Sequence, residues 1–213
     1  MGRFLRASLL IGGVASGYFA VRYALAWRQE RQRQNVFPAA EASTLLNPMR
    51  PVIMPAGRTL DRFGVSSGGI VLEVGPGPGY YSIEASRRVG AAGRLICLDL
   101  QRDMIVLLRA RLAEAATSAE TGVADATRLP VKDDSIDVAF LVTVLGEVPE
   151  PEAALAEMRR VLKPGGTLGL GETMGDPDYI RLGKLREMCG RAGFVEATCH
   201  HDVLGYTITF SAP

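Results

Sequence analysis

Ile70-Val71-Leu72-Glu73-Val74-Gly75-Pro76-Gly77-Pro78-Gly79 is the stretch that decides the fold of this chain. Its first five residues are aliphatic except Glu73 and predict a short buried strand. The glycines that follow allow positive φ and let backbone approach a ligand with no Cβ in the way. A helix is expected from about Gly79 to Val89. Strand, glycine turn and helix together open a βαβ unit. A dinucleotide fingerprint at this place would read G-x-G-x-x-G. Here the third glycine comes one residue early, as G-x-G-x-G, and Glu73 stands two residues before the loop. A carboxylate so placed repels a pyrophosphate and suits a ligand with an ammonium or sulfonium group.

Outward from this loop, strand and helix signals alternate with short connections, which predicts an α/β, doubly wound sheet. Strands are expected at Arg94 to Leu98, ending at Asp99, at Glu120 to Val123, at Ser135 to Val142 and at Thr167 to Gly171. Phe194 to His201 and Tyr206 to Phe210 read as a closing hairpin. Helices are expected at Asp103 to Ala116, Glu150 to Leu162 and Tyr179 to Ala192. Lys163-Pro164-Gly165-Gly166 serves as a helix stop. Before the sheet, Asn47-Pro48-Met49-Arg50-Pro51 reads as a turn cluster, and Val52 to Phe63 as a helix interrupted by Pro55.

In such a sheet, ligands bind beyond the carboxyl ends of the strands. Asp99, 20 residues beyond Gly79, ends the second strand, where a carboxylate can accept both hydroxyls of a ribose. Asp103 is the better helix cap by position. Asp125-Ala126 ends the third strand, within reach of an adenine edge. Asp137 reads equally as a ligand contact or as a polar residue starting a buried strand. Glu147, after the fourth strand, reads equally as a base or as a polar residue before the next helix. Glu172, ending the fifth strand, is a second candidate base, with Tyr179 and His201 weaker ones. The adjacent His200 and His201 cannot both face one metal on a strand. Cys97, Cys189 and Cys199 show no paired spacing, so neither a metal site nor a disulfide framework is expected.

The net charge of +1 hides an asymmetry. Residues 1–33 carry six arginines and one acid, whereas residues 34–213 carry 18 basic and 22 acidic side chains. An acidic main domain argues against nucleic acid as substrate. From Ala7 to Val21 there are fifteen uncharged residues, and the apolar character runs from Phe4 to Trp27. That is long enough to span a bilayer with Arg22 snorkelling, and it is followed by Arg28, Arg31 and Arg33. Residues 1–28 are thus expected to form a transmembrane anchor that keeps the catalytic domain cytoplasmic. An interfacial helix and a cleaved signal peptide are the competing readings. Gly13 and Gly17 form one small-xxx-small pair, a weak signal for a homodimer. Residues 29–64 read as linker and helical lid, and residues 65–213 as the ligand-binding domain.

The ordered set Val71 to Gly79, Leu98-Asp99, Gly122 to Ala126, Leu129-Pro130, Ser135-Ile136-Asp137 and Arg160 to Gly166 resembles class I S-adenosylmethionine-dependent methyltransferases over about residues 45–213. It looks most like the branch containing ubiquinone and menaquinone methyltransferases. The resemblance implies a seven-stranded sheet with the last strand antiparallel, and S-adenosyl-L-methionine as cofactor. It implies that Gly75, Gly77 and Gly79 cradle the methionine portion, with Glu73 near its ammonium group. Asp99, with the adjoining Leu100, would hold the ribose, and Asp125 with Ala126 the adenine. Backbone around Val142 and Thr143 would line the donor site. The stretch Thr143 to Pro149 lacks the Asn-Pro-Pro-Tyr type of motif that grips a planar nitrogen. No large insertion provides an acceptor domain, so residues 36–63, with Asn47, Met49 and Arg50, and the loop after Glu172 are expected to cover a small, lipophilic acceptor such as a quinone or a phospholipid headgroup. A non-catalytic binding module and a nicotinamide-dependent reductase are the alternatives, the first opposed by the retention of Glu73, Asp99 and all three glycines, the second by the glycine spacing and Glu73.

Overall fold

The computed structural model describes residues 37–46 and 48–213. Seven strands form one sheet: β1 (Ile70–Val74), β2 (Arg94–Asp99), β3 (Glu120–Val123), β4 (Ile136–Val142), β5 (Leu162–Thr173), β6 (Val195–Asp202) and β7 (Gly205–Ser211). Their order is β3-β2-β1-β4-β5-β7-β6. The first five run parallel, and β7 lies antiparallel to both β5 and β6. The strand order therefore reverses between β1 and β4. Ligand crevices open at such a point, beyond the carboxyl ends of the strands.

Strand periodicity sorts the core into two layers. Val138, Phe140 and Val142 of β4 face helices α2 (Ala56–Phe63), α3 (Ser82–Val89) and α4 (Arg102–Glu114). Ala139 and Leu141 face the opposite layer, built on α5 (Pro151–Val161) and α6 (Leu182–Arg191). A short α1 (Arg50–Ile53) precedes α2, and residues Ala39–Leu46 form a 3-10 helix. The break expected at Pro55 is where α1 and α2 part. Asp137 accepts the Ile70 amide at 2.8 Å and the Lys163 ammonium at 2.6 Å. It ties β1, β4 and β5 at the end of the sheet away from the glycine loop, which resolves its two readings in favour of structure.

Several boundaries differ from expectation for local reasons. The helix after the glycine loop starts at Ser82 rather than Gly79, because Gly79 sits at φ +86, outside the helical region. The next helix begins at Arg102, so Asp103 lies in its first turn and does not cap it. Lys163-Pro164-Gly165-Gly166 ends α5 but forms no separate turn. Leu162 already pairs with Ile136 and Thr167 pairs with Val138, so the four residues bulge within one long strand. Gly165 and Gly166 there exchange backbone bonds with Ala212. The last helix begins at Leu182 rather than Tyr179, after a turn closed by the Tyr179 amide on the Asp176 carbonyl. Among the described residues no helix is long and apolar enough to cross a membrane. The expected anchor, residues 1–28, and Asn47 lie outside the described residues.

Phe63 closes the α2 layer against Phe140, ring centroids 5.8 Å apart, and lies flat over Gly169. A Cβ on Gly169 would stand 2.5 Å from the Phe63 ring. Gly169→Ala should therefore destabilise the fold by about 1–3 kcal/mol through overpacking, read as a lowered urea midpoint with unchanged slope.

Candidate functional site

A cleft of about 210 Å³ opens over the carboxyl ends of β1, β2 and β4. Its floor is Glu73, at 2% exposure. Its carboxylate accepts the Ser82 hydroxyl at 2.5 Å and the Cys97 thiol at 3.6 Å. Burial pushes Glu73 up to about 7, against the pull of those two hydrogen bonds and of Arg50. Gly75, at φ +70, passes beneath Val144, and a Cβ there would lie 2.4 Å from a Val144 methyl carbon. Position 75 thus requires glycine for both conformation and room.

Asp99 ends β2 inside the cleft. One carboxylate oxygen accepts the Gly77 amide at 3.1 Å and the other the Gln101 amide at 2.9 Å. Burial raises its pKa, and these two amides oppose the rise. Leu100, Asp125 and Ala126 line the same wall. Asp125 accepts both the amide and the hydroxyl of Thr127 at 2.8 Å, which holds the β3 exit in a turn and its own pKa low. Val142 and Thr143 line the opposite wall. Thr143 sits at φ +55 with its amide on the Gly171 carbonyl, a left-handed conformation unusual for a branched residue and common at functional sites.

Glu147 faces the cleft from a 3-10 turn (Leu145–Glu147), where its carboxylate accepts the Phe37 amide at 3.2 Å. Burial pushes it up to about 8, with the charges of Asp176, Asp178 and Asp99 adding to the rise. The other expected base stands elsewhere. Glu172 is buried and accepts the Ile180 amide at 3.2 Å, and it does not line the cleft. Tyr179 packs edge-on against Tyr206, and His200 and His201 are exposed on β6.

Of the expected cover residues, Arg50 reaches the cleft. Its guanidinium lies 5.0 and 5.3 Å from the Tyr80 and Tyr81 ring centroids and donates to the Leu45 carbonyl at 2.9 Å. Phe37, Tyr80, Tyr81, Gln101 and Asp176 were not singled out from sequence, yet all line the site. Gln101 donates its side-chain amide to the Phe37 carbonyl at 2.6 Å, so Phe37 is held at both ends of its peptide. A polar residue two places after the ribose-type acid was the available signal for Gln101. Phe37 carried none, because its partners are remote in sequence.

Residues 71–166 match a family described as a methyltransferase domain. An uncharacterised 37.1 kDa protein in transposon TN4556 of Streptomyces fradiae is 38% identical over 123 residues, 58% of this chain and 34% of that protein. The ubiquinone/menaquinone biosynthesis C-methyltransferase UbiE of Azotobacter vinelandii is 35% identical over 129 residues, 60% of this chain and 51% of that protein. The chain thus spans about half, or less, of the length of these curated relatives. A SAM dependent methyltransferase from Aquifex aeolicus, of known crystal structure, shares the fold, with TM-score 0.79 and 21% identity over 84% of this chain and 100% of that one.

Glu73 is more easily protonated in the fold than in the unfolded chain, where it would titrate near 4.5. Its contribution to stability is whole below that value and is lost as pH rises through about 7. In the ligand-free protein, raising pH across that window should lower the urea midpoint more for the wild type than for Glu73→Gln. The difference should amount to about 1–3 kcal/mol.

Proposed function

Residues 71–166 of the chain belong to the class I S-adenosylmethionine-dependent methyltransferases, and on that premise we propose that the protein methylates a small, lipophilic acceptor of quinone type. The observation that carries the donor half is the buried, cation-seeking Glu73 beside a loop that admits no Cβ at Gly75. The residues present fit the donor end to end. Glu73 takes the α-ammonium group and Arg50, on the facing wall, the α-carboxylate. Gly75, Gly77 and Gly79 pass under the methionine portion. Asp99 accepts from the ribose while keeping the loop in place through Gly77. Leu100, Asp125 and Ala126 take the adenine, and Val142 and Thr143 line the far wall. When bound, S-adenosyl-L-methionine supplies an electrophilic methyl group on sulfonium.

Positioning is then the main work of the chain, since an in-line displacement needs the acceptor close and aligned. Phe37, Leu45, Val144 and Val148 offer apolar surface beside the donor site, which suits a lipophilic ring. Glu147 faces the same space. Its carboxyl, poised near neutrality, can take the proton that an aromatic acceptor gives up as the methyl bond forms. Support for the acceptor class comes from the UbiE relative, whose name places it in ubiquinone and menaquinone biosynthesis. A nicotinamide reductase is opposed by Glu73 at the floor, where it would face a pyrophosphate.

The layout follows from this reading: residues 1–28 anchor the chain in the membrane, residues 29–64 link and cover, and residues 65–213 bind the donor on the cytoplasmic side. The pair Gly13 and Gly17 permits a weak dimer through the anchor. Mass spectrometry of lipid extract incubated with the protein and deuterated-methyl donor tests the activity, and absence of any labelled lipid would sink the acceptor class. Asp99→Ala should raise the donor Kd by about tenfold or more in calorimetry, as loss of a charged hydrogen-bond acceptor does. NADH should show no saturable binding to either form.

A further inference from the structure

Four exposed apolar side chains stand at the end of the sheet where the cleft opens. The β6–β7 hairpin turns at Val203 and Leu204, which are 87% and 45% exposed. Beside this tip lies Met174, 61% exposed, whose amide donates to the Leu204 carbonyl at 2.7 Å. Val52 of α1 is 69% exposed. Its helix begins at Arg50, in the cleft, and is followed by Met54, which is buried with its sulfur over Gly171 of β5. The tip is braced rather than loose. Arg62 of α2 makes a two-pronged ion pair with Asp202, at 2.6 and 3.2 Å, and also donates to the Thr207 hydroxyl. A hairpin held this firmly and tipped with two aliphatic side chains presents a fixed apolar edge to its surroundings.

We infer that this edge docks on a lipid bilayer, so that the cleft faces the membrane surface and takes its acceptor directly from the lipid phase. The inference rests on the proposed anchor and acceptor class. Two observations choose lipid as the occupant. First, the described fold begins at Phe37, which is clamped to the cleft by Glu147 and Gln101, so its first residue stands at this same end of the sheet. Second, nine residues separate Trp27, the last residue of the apolar run, from Phe37. Fully extended they reach about 30 Å, so an anchor in the bilayer keeps the cleft within that distance of its surface. Val52, Met174, Val203 and Leu204 then supply the contact, with side chains seated at the headgroup–acyl boundary.

Trp27 is the only tryptophan of the chain, which permits a direct test on the whole 213-residue chain. With Trp27→Phe as background, Val203→Trp and Met174→Trp are read in phosphatidylcholine vesicles with and without brominated acyl chains. Emission from both should be quenched roughly twofold or more by the brominated lipid, as for side chains at the acyl boundary. Ala91→Trp, in the exposed turn before β2 at the other end of the sheet, should be unaffected. Val203→Asp with Leu204→Asp should reduce partitioning of the edge, and thus quenching at position 174, about tenfold, while donor affinity by calorimetry stays unchanged. Protein that floats with the vesicles yet leaves position 203 unquenched overturns the docked edge and leaves the anchor standing. Protein that does not float overturns both. A change of sedimentation with Val203→Asp in place of lipid quenching would assign the edge to a second copy of the chain and overturn the lipid reading. Failure of donor binding in the wild type would sink the proposed activity without touching the quenching result.

Discussion

One carboxylate holds the cleft in shape. Asp99, at the end of β2, accepts the amide of Gly77 from the loop after β1 and the amide of Gln101 from the chain leading into α4. The crossovers that leave the neighbouring strands β1 and β2 are thereby joined at a single side chain. Gln101 carries the linkage onward to Phe37, and Phe37 to Glu147 beyond β4. A chain of polar contacts thus runs from β2 across the mouth of the cleft, and the residues before the sheet are bound into it. In a buried setting each such bond is costly to lose, because the partner is left unsatisfied.

The same cleft concentrates buried and half-buried acids. Glu73, Glu147 and Asp176 are each pushed up, to about 7, 8 and 6, chiefly by burial. Arg50 brings a cation to the wall they share. Such a site favours a ligand that is itself partly cationic, since ionising these acids without a partner is unfavourable. A diphosphate would add negative charge to this set. Electrostatics therefore separates the two ligand classes that a glycine loop after β1 can serve, and it does so through side chains on three different strand ends.

Glu73 and the glycine loop were legible because strand, turn and acid follow one another without a break. The succession of strands and helices along the chain was legible for a related reason: most strands announce themselves by a short aliphatic run and the helices by their period. Where expectation and structure part, a local feature of the backbone is responsible. Positive φ at Gly79 delays α3, and the bulge at Lys163 to Gly166 joins α5 to β5 with no turn between. Glu172 looked equivalent to Glu147, since both are acids after a central strand. Only packing distinguishes them, by turning Glu172 to the Ile180 amide and Glu147 into the cleft.

By itself the sequence determined the sheet type, the donor loop and the acids Glu73 and Asp99, because those depend on residues adjacent along the chain or one βα unit apart. The tertiary structure alone decided that Phe37 and Asp176 share the cleft with them, beside Arg50 from the expected cover. It likewise decided that Met174 and the β6–β7 tip form one apolar edge at the same end of the sheet. These residues come from segments that are not neighbours along the chain, Phe37 and Asp176 being more than a hundred positions apart, and no periodicity or spacing encodes their meeting. They come together because β7 pairs with β5 in reverse and α1 lies over the end of β5, which are outcomes of packing.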